Sequence, residues 1–226
     1  MTTHDTSVDS PSVHDTGAPA IEAMAADIDA ALSNRTIAIG WLRRPLLRLL
    51  ARGAPVSIDA LAEATERSAG DVLDTLASSP DTEYDDDGRI VGHGITLRPT
   101  PHEFIVAGRT LYTWCALDTL AFPAMLDEPL QINSPCHATG RPVRITVAPD
   151  ELLDVDPPTA AVSIVLPDPA STVRASFCSH IWFFADIDVA RSWHVEHPQA
   201  TLLPVGTAYA LGRKLNTLSA ARASST

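Results

Sequence analysis

Residues 109–126 constrain this chain more than any other stretch. Read as a helix, the segment is apolar almost all the way round, so it belongs in a core and not on a surface. Cys115 and Asp118 lie within it three positions apart, which on a helix puts a thiol and a carboxylic acid on one face. An acid in such a setting is costly to bury without a purpose or a partner. The chain holds three cysteines, Cys115, Cys136 and Cys178, so a second thiol for a two-thiolate site has to come from far along the sequence. Cys178 is the better candidate, because the apolar run Ser176 to Phe184 would bury it beside the core. Two thiolates with an acid between them suit a soft, thiophilic metal.

Each of these residues also has a plainer reading. Cys115, flanked by Trp114 and Leu117, fits a small buried hydrophobe, as does Cys178. Asp118 could cap a strand or pair with an arginine. Tyr112, three residues before Cys115, and Arg174, four before Cys178, are candidates to line a pocket, with Arg174 also a candidate partner for Asp118. Ordinary packing or a surface ion pair would explain both equally well. Phe122, Trp182, Phe183 and Phe184 could form an apolar wall or simply fill the core. Cys136, in a Ser-Pro-Cys-His turn without a nearby carboxylate, reads as structural. His137 and His180 flank cysteines, but no Cys-x-x-Cys or His-x-x-x-His unit accompanies them, which argues against zinc.

In chain order, residues 1–20 are polar and read as a disordered tail, in which His4 and His14 are idle. Residues 21–92 have a winged-helix-like pattern. Helices are expected over 21–32 and 41–51, with Asn34 suited to capping between them and Pro45 near the first turn of the second. Two short helices follow, 58–65 capped by Ser57 and 69–77 capped by Ser68. Ala60, Leu61 and Ala64 are expected inward in the first, and Val72, Leu73 and Leu76 form the stripe of the second. A hairpin then turns at Asp85-Asp86-Asp87-Gly88. Residues 93–218 are expected to form an antiparallel sheet with packed helices, giving an α+β chain. Strands are placed near 95–97, 104–106, 142–147, 160–166 and 176–184, a turn at Asn133-Ser134-Pro135, and helices at 109–126, 189–194 and 205–215. Residues 219–226 are expected to fray.

Charge tests the winged-helix analogy. The net charge is −12, and the second short helix carries Asp71 and Asp74 with no lysine or arginine. Carboxylates facing phosphates oppose binding, so nucleic acid is not an expected partner and the module is read as packing against the second domain. An odd number of widely spaced cysteines is not a disulfide framework, and free thiols imply a reducing compartment. With no signal-like start and no apolar run of spanning length, a cytoplasmic protein without membrane contact is expected.

Four segments together resemble the alkylmercury lyase (organomercurial lyase) family: Trp-Cys-Ala-Leu-Asp-Thr-Leu (114–120), Ser-Pro-Cys-His-Ala-Thr-Gly (134–140), Phe-Cys-Ser-His-Ile-Trp-Phe-Phe (177–184) and His-Pro-Gln-Ala-Thr-Leu-Leu-Pro-Val (197–205). The resemblance covers residues 35–215. It implies cleavage of a carbon–mercury bond by protonolysis, with Cys115 and Cys178 holding mercury and Asp118 delivering the proton. A raised pKa for Asp118 would serve that role. It further implies no organic cofactor, in keeping with the absence of a glycine-rich phosphate loop. Excess small thiol would release the metal, and a mercuric reductase would accept it. Two other readings stand beside this one. A winged-helix metal sensor would use the same cysteines but leaves Asp118 unexplained. A cysteine hydrolase would need a histidine base near Cys115.

Overall fold

The computed structural model describes residues 17–223. His4, His14, most of the expected tail and the last three residues lie outside the described residues.

The chain opens with one helix, α1 (Ala18–Leu50), where two were expected. Its backbone is helical through Asn34, and Pro45 lies inside it. A mid-helix proline removes one backbone hydrogen bond. The helix persists because Ile28, Leu42, Leu46, Leu47 and Leu50 are fully buried, and tertiary burial outweighs local propensity. Two short helices follow as expected. In α2 (Ile58–Thr65) the Ser57 side chain accepts the Ala60 N–H at 3.1 Å. In α3 (Ala69–Ala77) Ser68 and Asp71 form a reciprocal capping box. The expected inward faces are too wide, since Ala64 is exposed and Leu73 is 52% exposed. Helices this short present one narrow stripe, and Leu61, Val72 and Leu76 occupy it.

A hairpin of β1 (Glu83–Tyr84) and β2 (Ile90–His93) begins an eight-stranded antiparallel sheet. It continues with β3 (Ile95–Thr96), β4 (His102–Val106), β5 (Arg109–Thr113), β6 (Leu130–Pro135), β7 (Pro142–Val147) and β8 (Leu152–Asp156) in the order β1-β2-β3-β5-β4-β6-β7-β8. The boundary drawn between residues 92 and 93 therefore falls inside β2, and the sheet runs unbroken across it. Residues 109–113 form a strand that pairs with β3 and β4, because Leu111 and Thr113 are buried while Arg109 and Thr110 are exposed, an alternation of period two. Residues 133–135 belong to β6, which pairs with β7 along its whole length instead of turning.

The helix expected over 109–126 is thus shorter, α4 (Ala116–Leu126), and it is buried as its composition demands. A second sheet holds β9 (Ala161–Ile164) between β10 (Phe183–Phe184) and β11 (Thr201–Pro204). Of the expected strand 176–184 only β10 exists. The rest is a helical turn, α5 (Val173–Ser176), followed by a 3-10 turn at Cys178–His180. After α6 (Ile187–Glu196), the long α7 (Val205–Ala223) continues through the segment expected to fray. It packs along α1 and α4, and its Arg222 forms an ion pair with Asp29 of α1. The architecture is α+β: a helical, winged-helix-like region followed by an antiparallel sheet with packed helices. Among the described residues no helix is long and apolar enough to cross a membrane.

Candidate active site

Cys115 is the N-cap of α4, with extended backbone. Asp118 is then the third residue of the helix, so the two share a side through N-cap geometry and not through a common helix face. The Thr113 hydroxyl donates to the Cys115 carbonyl at 2.9 Å, and the Trp114 N–H donates to the Gly94 carbonyl at 2.9 Å. These bonds fix the strand-to-helix corner that aims the thiol. A sulfur at a helix N-terminus also feels the positive end of the helix dipole, which favours thiolate.

Cys178 reaches the same point from the second sheet. The Ala116 N–H, a free donor at the start of α4, is taken by the Ile181 carbonyl at 3.2 Å. Upstream, both carboxylate oxygens of Asp81 accept the free N–H groups of Val173 and Arg174, each at 3.1 Å. The 3-10 turn between these two anchors delivers the thiol. Donor atoms of Cys115, Asp118 and Cys178 all lie within 4.8 Å of one another, the one such group of potential metal ligands among the described residues.

Burial dominates the electrostatics. It pushes the Cys115 thiol well above its ordinary range, aided by its hydrogen bond to Cys178 and by the Asp118 charge. The Asp118 N–H lies near enough to the sulfur to offset part of this without forming a full capping bond. In Cys178 the Cys115 hydrogen bond pulls the pKa down, but burial and the Asp118 and Asp81 charges outweigh it. Burial raises Asp118 to about 6, against the opposing influence of Arg43 and Cys115. Asp118 Oδ2 is buried without a hydrogen-bond partner, an acceptor or donor left free for chemistry.

Asp118 and Cys178 open onto a cavity of about 140 Å³, the size that takes an aromatic ring. Its apolar walls come from Leu32, Ile39, Leu117, Val173, Phe177 and Leu215. Phe122, Trp182, Phe183 and Phe184, considered as an apolar wall, do not line it. Phe122, Phe183 and Phe184 are fully buried core, and Trp182 stacks on His137 at 4.3 Å. Tyr112 is on β5, opposite Thr96 and Glu103 in the sheet register, and does not line the cavity. Arg174 does not pair with Asp118. It forms an ion pair with Glu83 and lies over the Trp114 ring. Cys136 is separate from the triad, in a turn where its N–H donates to the Arg141 carbonyl at 2.7 Å. Neither His137 nor His180 joins a metal-binding group among the described residues.

Two cavity residues escaped the sequence reading. His93, at the end of β2, is buried with Nδ1 unpartnered, and burial with the Arg43 charge lowers its pKa to about 3. Arg43 comes from α1, and its charge acts on Asp118, Cys178 and Cys115. An arginine amid leucines is the one local signal that would have marked it.

A family profile described as alkylmercury lyase matches residues 95–217, and one described as the helix-turn-helix domain of alkylmercury lyase matches residues 24–94. The chain is 57% identical to an alkylmercury lyase of Streptomyces lividans, over 77% of this chain and 81% of the relative. It is 50% identical to one of Pseudomonas putida, over 74% of this chain and 79% of the relative. A crystal structure of the mercury-bound form of MerB2 superimposes with a TM-score of 0.71 at 26% identity, covering 88% of this chain and 98% of the other.

Proposed function

The chain belongs to the alkylmercury lyase family, and from that membership we propose that Cys115, Asp118 and Cys178 are the residues with which it acts. The protein is an enzyme that cleaves the carbon–mercury bond of organomercurials by protonolysis, giving hydrocarbon and Hg(II). The observation that carries the assignment of residues is the meeting of two thiols and one acid within 4.8 Å beside an apolar cavity.

The substrate R–Hg–X exchanges X for the first thiolate, and the thiol proton leaves with X. The thiol of Cys115, hydrogen-bonded to Asp118, gives its proton to that carboxylate as it binds the same mercury. Two sulfur donors raise the electron density on the metal and weaken its bond to carbon. That bond breaks with its electron pair on carbon, which takes the proton from Asp118. Hydrocarbon departs, Hg(II) stays on the two sulfurs, and Asp118 returns to carboxylate. No atom changes its overall redox balance, so no electron donor and no organic cofactor is needed. Free small thiol then exchanges the metal off the pair, and a mercuric reductase is a natural acceptor in a thiol-rich cytoplasm.

Headspace detection of hydrocarbon from an arylmercury salt in thiol buffer tests the assignment. Release by wild type, lost in D118A and in C178S, supports it. Mercury binding without release by wild type would make the chain a metal binder.

The sensor reading fares worse on a specific observation. Asp71 and Asp74 are exposed on α3, the helix that would enter a groove, and no basic side chain accompanies them. No retention of promoter fragments at low salt is expected in a gel shift. The hydrolase reading needs a basic imidazole at Cys115, and the cavity's histidine, His93, is held to about 3.

A further inference from the structure

Among the described residues, Arg43 is the one lysine or arginine lining the cavity. It is half-buried, and its guanidinium carbon lies 6.0 Å from the Phe122 ring centroid, which fixes the side chain over an aromatic face. The guanidinium has no hydrogen bond or ion pair among the described residues. The other cavity acids are already engaged. Asp29 is paired with Arg222, and Asp81 accepts the N–H groups at the start of α5. Asp118, the acid at the thiols, makes no hydrogen bond or ion pair with Arg43 among the described residues. His93, on the same wall, is neutral with an unpartnered Nδ1, so it adds a hydrogen-bonding group without a competing charge. An unpaired guanidinium at the edge of an apolar cavity of aryl size is a seat for a planar anion, which it can bind through two parallel N–H bonds.

We propose that Arg43 is a specificity-determining residue whose guanidinium binds a carboxylate carried on the organic group of the organomercurial. This rests on the reading that the adjoining thiol–acid site cleaves carbon–mercury bonds. The preferred substrates are then arylmercury or alkylmercury carboxylates, held by mercury at one end and by carboxylate at the other. An uncharged substrate of the same shape makes no such charge-assisted bond and is disfavoured.

Two isosteric probes test this, para-carboxyphenylmercury and its para-carboxamide, compared by kcat/KM for benzoate or benzamide release. Wild type is expected to favour the carboxylate by about tenfold or more. That preference falls to within about twofold in R43Q and is largely kept in R43K. Comparing ratios cancels the intrinsic reactivity of each ring and any uniform loss of folded enzyme. No preference in wild type overturns the proposal whatever the variants do. A preference unchanged in R43Q, with both substrates slowed alike, also overturns it and assigns Arg43 to the thiol pair. Cleavage of neither probe by wild type would instead sink the carbon–mercury lyase reading.

Discussion

The Cys115 and Cys178 sulfurs lie within 4.8 Å of each other, although one caps a helix that leaves the large sheet and the other sits in a 3-10 turn feeding the small one. The two sheets meet where the thiols meet. Any change that loosens the junction loosens the site.

Metal capture and bond cleavage separate by residue. C115S and C178S each leave one thiolate, so both lose tight Hg(II) binding along with hydrocarbon release. D118N keeps both thiols and keeps mercury binding, but lowers kcat by about 100-fold to 10,000-fold, the usual worth of a general acid. Equilibrium mercury titration beside the headspace assay distinguishes the two classes. Loss of mercury binding in D118N would refute the division.

Asp118 makes stability depend on pH in a defined sense. Burial raises its pKa from 3.8 to about 6, so the folded protein holds this proton more tightly than the unfolded chain. Its contribution is most favourable below the unfolded value, declines as pH rises through about 6, and is constant above. The decline is about 3 kcal/mol at most. Urea midpoints between these pH values should fall for wild type relative to D118N. Parallel curves would contradict the assigned burial cost.

Glu83 ties the two cysteine-bearing segments together without touching either thiol. It is buried, accepts the Thr96 hydroxyl at 2.6 Å and the Trp114 indole N–H at 3.1 Å, and pairs with Arg174. Trp114 precedes Cys115, and Arg174 lies on α5 just ahead of Cys178. E83A should lose about 3 kcal/mol of stability, by stranding partners in a buried network, and should also reduce activity. Full activity at native stability would show that the junction tolerates its loss.

Gly94 holds the turn between β2 and β3 at φ +83°, and a Cβ there would meet Phe122 Cζ at 2.7 Å. The G94A variant combines left-handed strain with a clash against a fully buried ring. A loss of about 2 kcal/mol or more is expected in denaturant unfolding, with the Trp114 N–H displaced from the Gly94 carbonyl.

Local signals in the sequence were read accurately where they act locally. Ser57 and Ser68 cap the helices they precede, and the Asp85–Gly88 turn closes its hairpin as written. The missed strand β5 was also legible, since Leu111 and Thr113 alternate with polar neighbours, but the apolar helix downstream absorbed it. Pro45 misled for the opposite reason, as burial along α1 overrode a local breaker.

Written in the sequence itself was the chemical inventory: three thiols, an acid three residues after Cys115, and an α3 that carries Asp71 and Asp74 without a lysine or arginine. Capping, turns and periodicity depend on residues within a few positions, so they are written in order along the chain. Tertiary structure alone decided that Cys178 joins Cys115, through the Ala116–Ile181 bond and the Asp81 cap on α5, and that Arg174 belongs to Glu83. It also brought Arg43 to the cavity and set the burial that raises Asp118. Hydrogen bonds between distant segments and the loss of water around a charge depend on which surfaces meet in space, and no spacing along the chain encodes them.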